Sequence, residues 1–267
     1  MSLAAPAAFR PPVLARALRT ARLGRAVEFH PSLASTNDRA LEWARAGAPH
    51  GAVVVADEQT RGRGRHGRAW HSAHGQGVWA SVVLRPARPA GELGQLPLVV
   101  GLALGEALGR DLELRGVSLR WPNDVDVRGR KVAGVLCERC GGSEPAAVVA
   151  GVGINVGRGA VPPELAAAAT SLAAEGLAAA REAVLAALLG RLEQRLEAWE
   201  QGGFGALRAD YLACLEAPGG EARLGGAAGA GTEVRGTFVT VDGDGALVLR
   251  TAAGVQAFHA GQVERVR

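Results

Sequence analysis

The stretch Glu58-Gln-Thr-Arg-Gly-Arg-Gly-Arg-His-Gly-Arg-Ala-Trp70 stands out from the rest of this sequence. Its residues 61–68 comprise four arginines, three glycines and one histidine. Because glycine has no Cβ and arginine presents a planar fork of donors, such a loop can wrap N–H groups around an anion. Apolar runs at residues 52–56 and 78–84 flank the loop and are predicted to form buried strands. The pattern therefore predicts a cationic loop, held between two strands, that binds a phosphorylated ligand.

Arginine- and glycine-rich runs also occur in solvated, disordered segments and in segments that contact nucleic acid. The position of this run between two apolar strands argues against a disordered segment. Residues 61–68 contain no interleaved aromatic residue, and no nucleic-acid-binding fold is recognisable, which argues against the second alternative. The pattern alone therefore favours an anion site for a small ligand.

The composition is that expected of a soluble protein with a local excess of positive charge. With 267 residues, 48% of them hydrophobic, the chain can form one large domain and a small one, or two of middling size. The formal net charge is +4, and four of the arginines lie in the loop. Three cysteines and the lack of an apolar run of about 18 residues predict neither a disulfide framework nor a transmembrane helix. The N-terminus does not resemble a signal peptide, so a cytoplasmic location is expected.

Hydrophobic periodicity predicts helices and strands in alternation through most of the chain. Residues 1–12 are rich in alanine and proline and are predicted to be loosely held. Predicted helices lie at 13–23, 95–112 and 181–200, the last with an apolar stripe at Leu185, Leu188, Leu189, Leu192, Leu196 and Trp199. Predicted strands lie at 26–30, 118–121, 131–138 and 146–156, with a hairpin at 125–130 that turns at Arg128-Gly129.

The pattern changes after Pro218-Gly-Gly220. Short strands are predicted at residues 232–240, 246–250 and 256–259, with a turn at 242–245. A β module of this size is too small to be stable without packing on its neighbour.

The polar group Ser35-Thr-Asn-Asp38 precedes a predicted helix and allows two interpretations. A Ser or Thr followed three residues later by an acidic residue is typical of a capping box, which satisfies backbone N–H groups at a helix start. The same side chains can instead line a ligand pocket. The sequence alone favours the cap, and the two interpretations are compatible.

The stretch Arg120-Trp-Pro-Asn-Asp124, followed by Lys131, is a second candidate site. Pro-Asn-Asp is an ordinary turn sequence. Asp124 is also a candidate Mg²⁺ ligand, and Lys131, the only lysine in the chain, can neutralise phosphate or carboxylate oxygens. The spacing alone does not decide between a turn and a site.

The sequence lacks the motifs of several common active sites and metal sites. The sequence has no P-loop and no nucleophile elbow, and residues 151–156 lack the third glycine of a dinucleotide fingerprint. Cys137 and Cys140 have no second cysteine pair with which to bind zinc. The histidines at positions 66, 71 and 74 lack the helical spacing of a common metal motif.

Five motifs occur in an order that resembles the biotin–protein ligases. They are Ser-Thr-Asn from Ser35, Gln-Thr-x-Gly-Arg-Gly-Arg-x-Gly-Arg-x-Trp from Gln59, Trp-Pro-Asn-Asp from Trp121, Lys-x-Ala-Gly-x-Leu-x-Glu from Lys131, and Gly-x-Gly-Ile-Asn-Val from Gly151. The resemblance covers about residues 25–267. It implies an α+β fold, in which a mixed β-sheet covered by helices, of the class II synthetase type, is followed by a small SH3-like β-barrel. The implied parts are a tail and short helix over 1–24, a catalytic domain over 25–217 and a C-terminal domain over 218–267.

The resemblance also implies roles for individual residues. The ureido ring of biotin would be hydrogen-bonded by Ser35, Thr36, Asn37 and Gln59. The catalytic side chains would be Lys131, Arg65 and Arg63, which face the carboxyl–phosphate linkage of the adenylate together with Gly64. Asp124 would hold Mg²⁺ or lie, with Asn123, near the phosphates of ATP. The remaining expected binding positions are Trp70, on the adenine side, and Gly67, Gly134 and Asn155.

The implied reaction has two steps, in which ATP activates biotin to biotinyl-5′-AMP and biotin then passes to a lysine of a carboxylase's biotin carboxyl carrier domain. Cationic side chains and Mg²⁺ would offset the repulsion between two anions, and the glycine-rich loop would order over the intermediate and exclude water. Biotin, ATP and the carrier domain are the expected partners. The resemblance allows a homodimer and predicts no membrane association.

Two departures from the family pattern matter. About thirty residues precede Ser35, too few for the winged helix-turn-helix domain of many members, so DNA binding is not expected. His66 replaces an arginine found in some relatives, which bears on how tightly the loop retains the intermediate. Two other functions stay open: a lipoate–protein ligase or octanoyltransferase, which share the general fold, and a nucleic-acid or regulatory protein that binds through the arginine loop.

Overall fold

The computed structural model of the chain describes residues 7–141, 147–216, 220–225 and 233–265. Seven strands form its larger sheet: β1 (Val27–His30), β2 (Val53–Ala56), β3 (Gly77–Leu84), β4 (Val117–Arg120), β5 (Asp124–Val127), β6 (Arg130–Cys140) and β7 (Ala147–Asn155). They are hydrogen-bonded in the order β1-β2-β3-β7-β6-β5-β4. The β1–β2 pair is parallel and the other pairs are antiparallel, so the predicted mixed sheet is confirmed.

Helices cover both faces of this sheet: α1 (Pro11–Ala17), α2 (Thr36–Arg45), α3 (Leu96–Glu106), α4 (Arg181–Gly202) and α5 (Arg208–Cys214). The alternation of side chains along each strand divides the core. Val82 and Leu84 of β3 face the cluster that includes α3 and α4, whereas Val83 faces the smaller cluster beside α2. Ser81 therefore lies on the α2 side of the sheet. The predicted apolar stripe of α4 is buried as expected.

A second, smaller sheet follows in the chain. Its strands are β8 (Glu221–Gly225), β9 (Glu233–Val241), β10 (Leu247–Thr251), β11 (Gly254–Phe258) and β12 (Gln262–Arg265), all antiparallel in the order β11-β10-β9-β8-β12. This confirms a small C-terminal β unit, while its closure into a barrel stays a prediction. Sequence analysis missed β8 and β12, which are short and border residues of low hydrophobicity.

The small sheet packs on the large one, as its size requires. The Trp121 indole N–H donates to the Gly245 carbonyl at 3.0 Å, and Arg208 Nε donates to the Val241 carbonyl at 2.7 Å. Leu224 and Leu249 of the small sheet are fully buried in the same core cluster as α3 and α4. The two sheets therefore share one hydrophobic core.

The prediction that residues 1–12 are loosely held is wrong for the described residues 7–12. Phe9 is only 2% exposed, and its N–H donates to Asp57 Oδ1 at 3.1 Å. Helix α1 starts earlier than predicted, because the two prolines at its start preset helical φ angles, and it ends at Ala17, before the predicted Leu23. Predictions that touch residues 1–6, 146, 218–219 and 232 lie outside the described residues. Across the described ranges, no helix has the length and apolar character that a membrane crossing requires.

Candidate active site

One cavity gathers nearly all of the predicted site residues. Its walls come from the loop between β2 and β3, the start of α2, the β5–β6 hairpin and the end of β7. The predicted residues that line it are Ser35, Thr36, Asn37, Gln59, Arg63, Gly64, Arg65, Trp70, Asn123, Asp124, Lys131, Gly134 and Asn155. Gly67 does not line it. Gly67 instead has a positive φ of 72°, next to the exposed His66 at 58°, in the turn at the tip of the loop.

The start of α2 presents polar side chains to the cavity instead of capping the helix with them. Ser35 occupies the N-cap position but makes no side-chain capping hydrogen bond, so the predicted capping box is wrong. Gln59 supplies the acceptor: its Oε1 receives hydrogen bonds from the Thr36 N–H at 2.9 Å and the Thr36 hydroxyl at 3.0 Å. Because Gln59 satisfies this end of the helix, the Ser35 hydroxyl is left for a ligand.

A buried polar network supports this wall from behind. Ser81 Oγ lies 2.8 Å from Thr36 Oγ1 and 2.6 Å from Asn37 Oδ1, and Asn37 Nδ2 donates to Glu138 Oε2 at 2.6 Å. Sequence analysis assigned no role to Ser81 or Glu138. A signal was present for Ser81, since it is the only hydroxyl residue in the apolar run 78–84.

Two arginines of the loop have different partners. Arg63 forms a two-pronged ion pair with Asp38, at 2.7 Å for both contacts, and lies 3.4 Å from Glu138. The hydrogen bond from Arg63 holds the pKa of Asp38 below its ordinary value, despite partial burial. Arg65 Nη1 instead contacts neutral oxygens, the Gly261 carbonyl at 3.0 Å and Asn123 Oδ1 at 3.3 Å.

Both of these direct partners of Arg65 are uncharged. Among the described residues, none of the acidic side chains forms an ion pair with it. Burial lowers the pKa of Arg65, because desolvation disfavours the charged form; the charge of Asp124 opposes this shift and that of Arg68 adds to it. An arginine with a pKa so far above neutrality stays charged, so Arg65 is the loop cation best prepared to receive an anion.

Lys131 faces the opposite side of the same cavity. Its Nζ lies 2.7 Å from Asp124 Oδ1 and 5.0 Å from the centroid of the Trp70 ring, within range of a cation–π interaction. The indole of Trp70 rests on two glycines. A Cβ at Gly153 would come within 2.5 Å of the ring, and one at Gly134 within 3.1 Å, which gives Gly134 a steric role.

The described residues contain no group of three or more His, Cys, Asp or Glu side chains arranged to hold a metal ion. Asp124, the predicted Mg²⁺ ligand, contacts Lys131 and lies 3.4 Å from Arg120, so both of its charged partners are cations. Burial raises the pKa of the neighbouring Asp126 to about 6, against the opposing charge of Arg120.

Residues 158–177 close one side of the cavity, a role that sequence analysis did not predict for this alanine-rich segment. The segment pairs with Lys131, whose N–H donates to the Ala168 carbonyl at 2.9 Å and whose carbonyl accepts from the Thr170 N–H at 2.8 Å. Asn155 Nδ2 donates to the Thr170 carbonyl at 3.0 Å, so Asn155 holds the segment as well as lining the cavity. We call residues 158–177 the cover segment.

Two family models match the sequence. The Biotin/lipoate A/B protein ligase family matches residues 29–155, and the Biotin protein ligase C terminal domain matches residues 228–266. The bifunctional ligase/repressor BirA of Bacillus subtilis is 33% identical over 260 residues, which cover 92% of this chain and 76% of that protein. Biotin–[acetyl-CoA-carboxylase] ligase of Mycobacterium tuberculosis is 35% identical over 97% of both chains.

A solved structure agrees with these matches. The biotin protein ligase from Aquifex aeolicus, in complex with biotin and ATP, aligns with a TM-score of 0.78 at 32% identity, covering 91% of this chain and 99% of that one. The class of protein is therefore that of the biotin and lipoate protein ligases. Within this class, the match to the biotin protein ligase C-terminal domain and the two relatives identify the family: the chain belongs to the biotin protein ligase family.

Proposed function

We infer that this chain is an ATP-dependent biotin protein ligase, which activates biotin to biotinyl-5′-AMP and transfers it to a lysine of a biotin carboxyl carrier domain. One observation carries the assignment to this site: a single cavity joins a polar wall, at the start of α2, to a cationic wall that contains Arg65 and Lys131. Biotin has a polar ureido ring at one end and a carboxylate at the other. The two walls match those two ends.

The polar wall supports biotin in preference to lipoate or octanoate. Thr36 Oγ1 and Gln59 Oε1 are hydrogen-bonded to each other, and the Ser35 hydroxyl faces the cavity without a capping bond. A ureido group offers two N–H donors and a carbonyl acceptor to such a wall, whereas a dithiolane ring or an alkyl chain offers none. An apolar ligand would leave the Ser35 hydroxyl without a partner, which costs about 1–3 kcal/mol for a buried polar group.

The cationic wall suits the first chemical step. A biotin carboxylate oxygen attacks the α-phosphorus of ATP, the new O–P bond forms, and the bond to the β-phosphate oxygen breaks to release pyrophosphate. Arg65 and Lys131 lie where they would offset the negative charge that the two reactants bring together. Mg²⁺ bound to the ATP phosphates would lie near Asp124. Asp124 would then contact the metal ion in place of Lys131.

The second step needs no nucleophile from the enzyme. The acceptor amine attacks the carbonyl carbon of the mixed anhydride, a C–N bond forms, and the C–O bond to AMP breaks. The loop around Arg63 and Arg65 would lie over the intermediate until the acceptor arrives, and its exclusion of water would limit hydrolysis. A homodimer and the absence of DNA binding stay predictions.

Pyrophosphate exchange tests the proposal. Purified protein is incubated with ATP, Mg²⁺ and labelled pyrophosphate, and each of biotin, lipoate and octanoate is added in parallel. Exchange that depends on biotin alone is the expected result, followed by transfer to a purified carrier domain. Exchange with lipoate or octanoate would assign a different acid, and exchange with none of the three would overturn the enzymatic assignment.

A further inference from the structure

Ser81 lies directly behind the polar wall without reaching the cavity. It sits in the middle of β3, is completely buried, and is not among the residues that line the site. Its hydroxyl nevertheless touches two of them, at 2.8 Å from Thr36 Oγ1 and 2.6 Å from Asn37 Oδ1. A buried hydroxyl at that position can act on a ligand only through these two side chains.

The orientation of both neighbouring amides is fixed by other contacts. Gln59 Oε1 faces Thr36 because it accepts from the Thr36 N–H at 2.9 Å. Asn37 Nδ2 faces away from Ser81 because it donates to Glu138 Oε2 at 2.6 Å and to the Leu136 carbonyl at 3.2 Å. Both amides therefore turn their oxygen atoms towards the hydroxyls of Thr36 and Ser81.

The number of hydrogens in this wall determines whether it offers donors or acceptors to a ligand. Gln59 Oε1, Thr36 Oγ1, Ser81 Oγ and Asn37 Oδ1 form a continuous row, with successive contacts of 3.0, 2.8 and 2.6 Å. The two hydroxyls bring one hydrogen each, so three contacts between oxygens share two hydrogens. The row therefore has one hydrogen fewer than it has contacts, and its three members that line the cavity, Gln59, Thr36 and Asn37, keep lone pairs for a ligand.

We propose that Ser81 is a positioning residue that sets the specificity of the site for acids whose ring carries N–H donors. Its hydroxyl contacts both Thr36 Oγ1 and Asn37 Oδ1 and holds these two side chains in place, so that the lone pairs left over in the row stay available to the ligand. The inference rests on the proposed function, because the ureido ring of biotin is the N–H donor that the wall would receive. Lipoate has no such donor and gains nothing from the arrangement.

Replacement of Ser81 tests the proposal through the Michaelis constants of the exchange reaction. In Ser81→Ala the Asn37 oxygen loses its buried donor, and we expect KM for biotin to rise about tenfold, the change that corresponds to one lost buried hydrogen bond. KM for ATP should stay within about twofold, because Ser81 contacts no residue of the cationic wall. The selectivity for biotin over lipoate, measured as the ratio of kcat/KM values, should fall together with the affinity for biotin.

Matched variants separate positioning from a general loss of packing. Val83→Ala alters a fully buried residue on the same face of β3, and it should lower the melting temperature without changing KM for biotin. Ser81→Cys keeps the branching of the side chain but replaces the hydroxyl by a larger and much weaker donor, and it should shift KM in the same direction as Ser81→Ala. Unchanged KM for biotin in both Ser81 variants, or an equal rise in KM for ATP, would overturn the proposal. Lack of biotin-dependent exchange in the unmodified chain would instead refute the proposed function itself.

Discussion

At the scale of single residues, the sequence motifs indicate which side chains line the same cavity, but not which residues each side chain contacts. Arg63 and Arg65 lie two positions apart and look equivalent in the sequence. In the structure, Arg63 is bound to Asp38 and Arg65 to neutral oxygens. The difference depends on Asp38 and Gly261, which are far apart along the chain, so no local pattern could have predicted it.

Arg65 is the loop residue whose loss should affect the intermediate most. We expect Arg65→Gly to release biotinyl-adenylate about tenfold faster or more, since a hydrogen bond from a charged donor contributes about 1.5–3 kcal/mol. The release rate is measured by trapping free adenylate after a single turnover. Arg61→Gly is the matched control, because Arg61 is exposed in the same loop and does not line the cavity. Equal release from Arg65→Gly and the unmodified chain would refute this role.

Lys131 should act on the adenylation step itself. Its ammonium group is the cation of the hairpin wall, and its removal also takes from Asp124 the cation that lies 2.7 Å away, while Arg120 stays at 3.4 Å. We expect Lys131→Ala to reduce the rate of biotin-dependent pyrophosphate exchange roughly 100-fold, the usual cost of losing one group that stabilises a transition state. Lys131→Arg keeps the charge and should retain part of the activity. A near-normal exchange rate in Lys131→Ala would show that the assignment at this position is wrong.

At the scale of elements, periodicity predicted the parts of the fold that are buried on one side or throughout. The stripe of α4 was identified because its burial repeats with the helical period, and β2 and β3 were identified because each is a short apolar run buried along its whole length. The cover segment 158–177 has no such period. It consists of short turns held by backbone pairing with Lys131, so its place over the cavity depends on a partner strand that the sequence does not indicate.

Glu175 fastens the cover segment to the β5–β6 hairpin. Its side chain is 2% exposed and contacts Arg128 and Arg130, each at 2.5 Å, and the Thr170 hydroxyl at 2.7 Å. We expect Glu175→Gln to lower the free energy of unfolding by about 1–3 kcal/mol, because the amide satisfies the buried donors less well. The same variant should raise KM for ATP more than KM for biotin, since the hairpin carries Asp124 and Lys131. Equal changes in KM for ATP and KM for biotin would show that the cover segment does not act specifically on nucleotide binding.

The pH dependence of stability checks the same contact. Burial raises the pKa of Glu175, but the Thr170 hydrogen bond and the charges of Arg130 and Arg128 outweigh it, so the pKa lies below its ordinary value. A carboxyl whose pKa is lower in the folded state stabilises the fold above its unfolded pKa, and the contribution is lost as the pH falls through the folded pKa. The stability difference between the unmodified chain and Glu175→Gln should therefore shrink when urea unfolding is measured at progressively more acidic pH. A difference that stays constant would contradict the ion pairing.

At the scale of the whole molecule, segments near both ends of the described chain are held by contacts with residues far away in the sequence. The Gly261 carbonyl of the small sheet accepts from Arg65, so a part that looked like a separate module in the sequence contacts the loop. At the other end, Arg10 N–H donates to Glu182 Oε1 at 2.8 Å, and Arg181 Nη2 donates to the Ala7 carbonyl at 2.7 Å. Contacts between residues about 170 positions apart, as here, leave no trace in local composition, which is why this segment was predicted to be loose.

The ion pair between Asp57 and Arg181 is the centre of the N-terminal contact. Arg181 Nη1 lies 2.7 Å from Asp57 Oδ1, with side-chain exposures of 8% and 2%, and the same carboxylate accepts the Phe9 N–H. Removal of one partner of a buried pair leaves an uncompensated charge and usually costs about 3–5 kcal/mol. We expect that loss in Arg181→Met, measured as the free energy of urea unfolding. The double variant Arg181→Met/Asp57→Asn removes both charges while keeping an acceptor for Phe9, so it should be more stable than Arg181→Met alone. The losses of unfolding free energy in the single variants Arg181→Met and Asp57→Asn are compared with the loss in the double variant. If the two single losses add up to the loss in the double variant, the pair is not coupled and the N-terminal segment is held by apolar packing of Phe9.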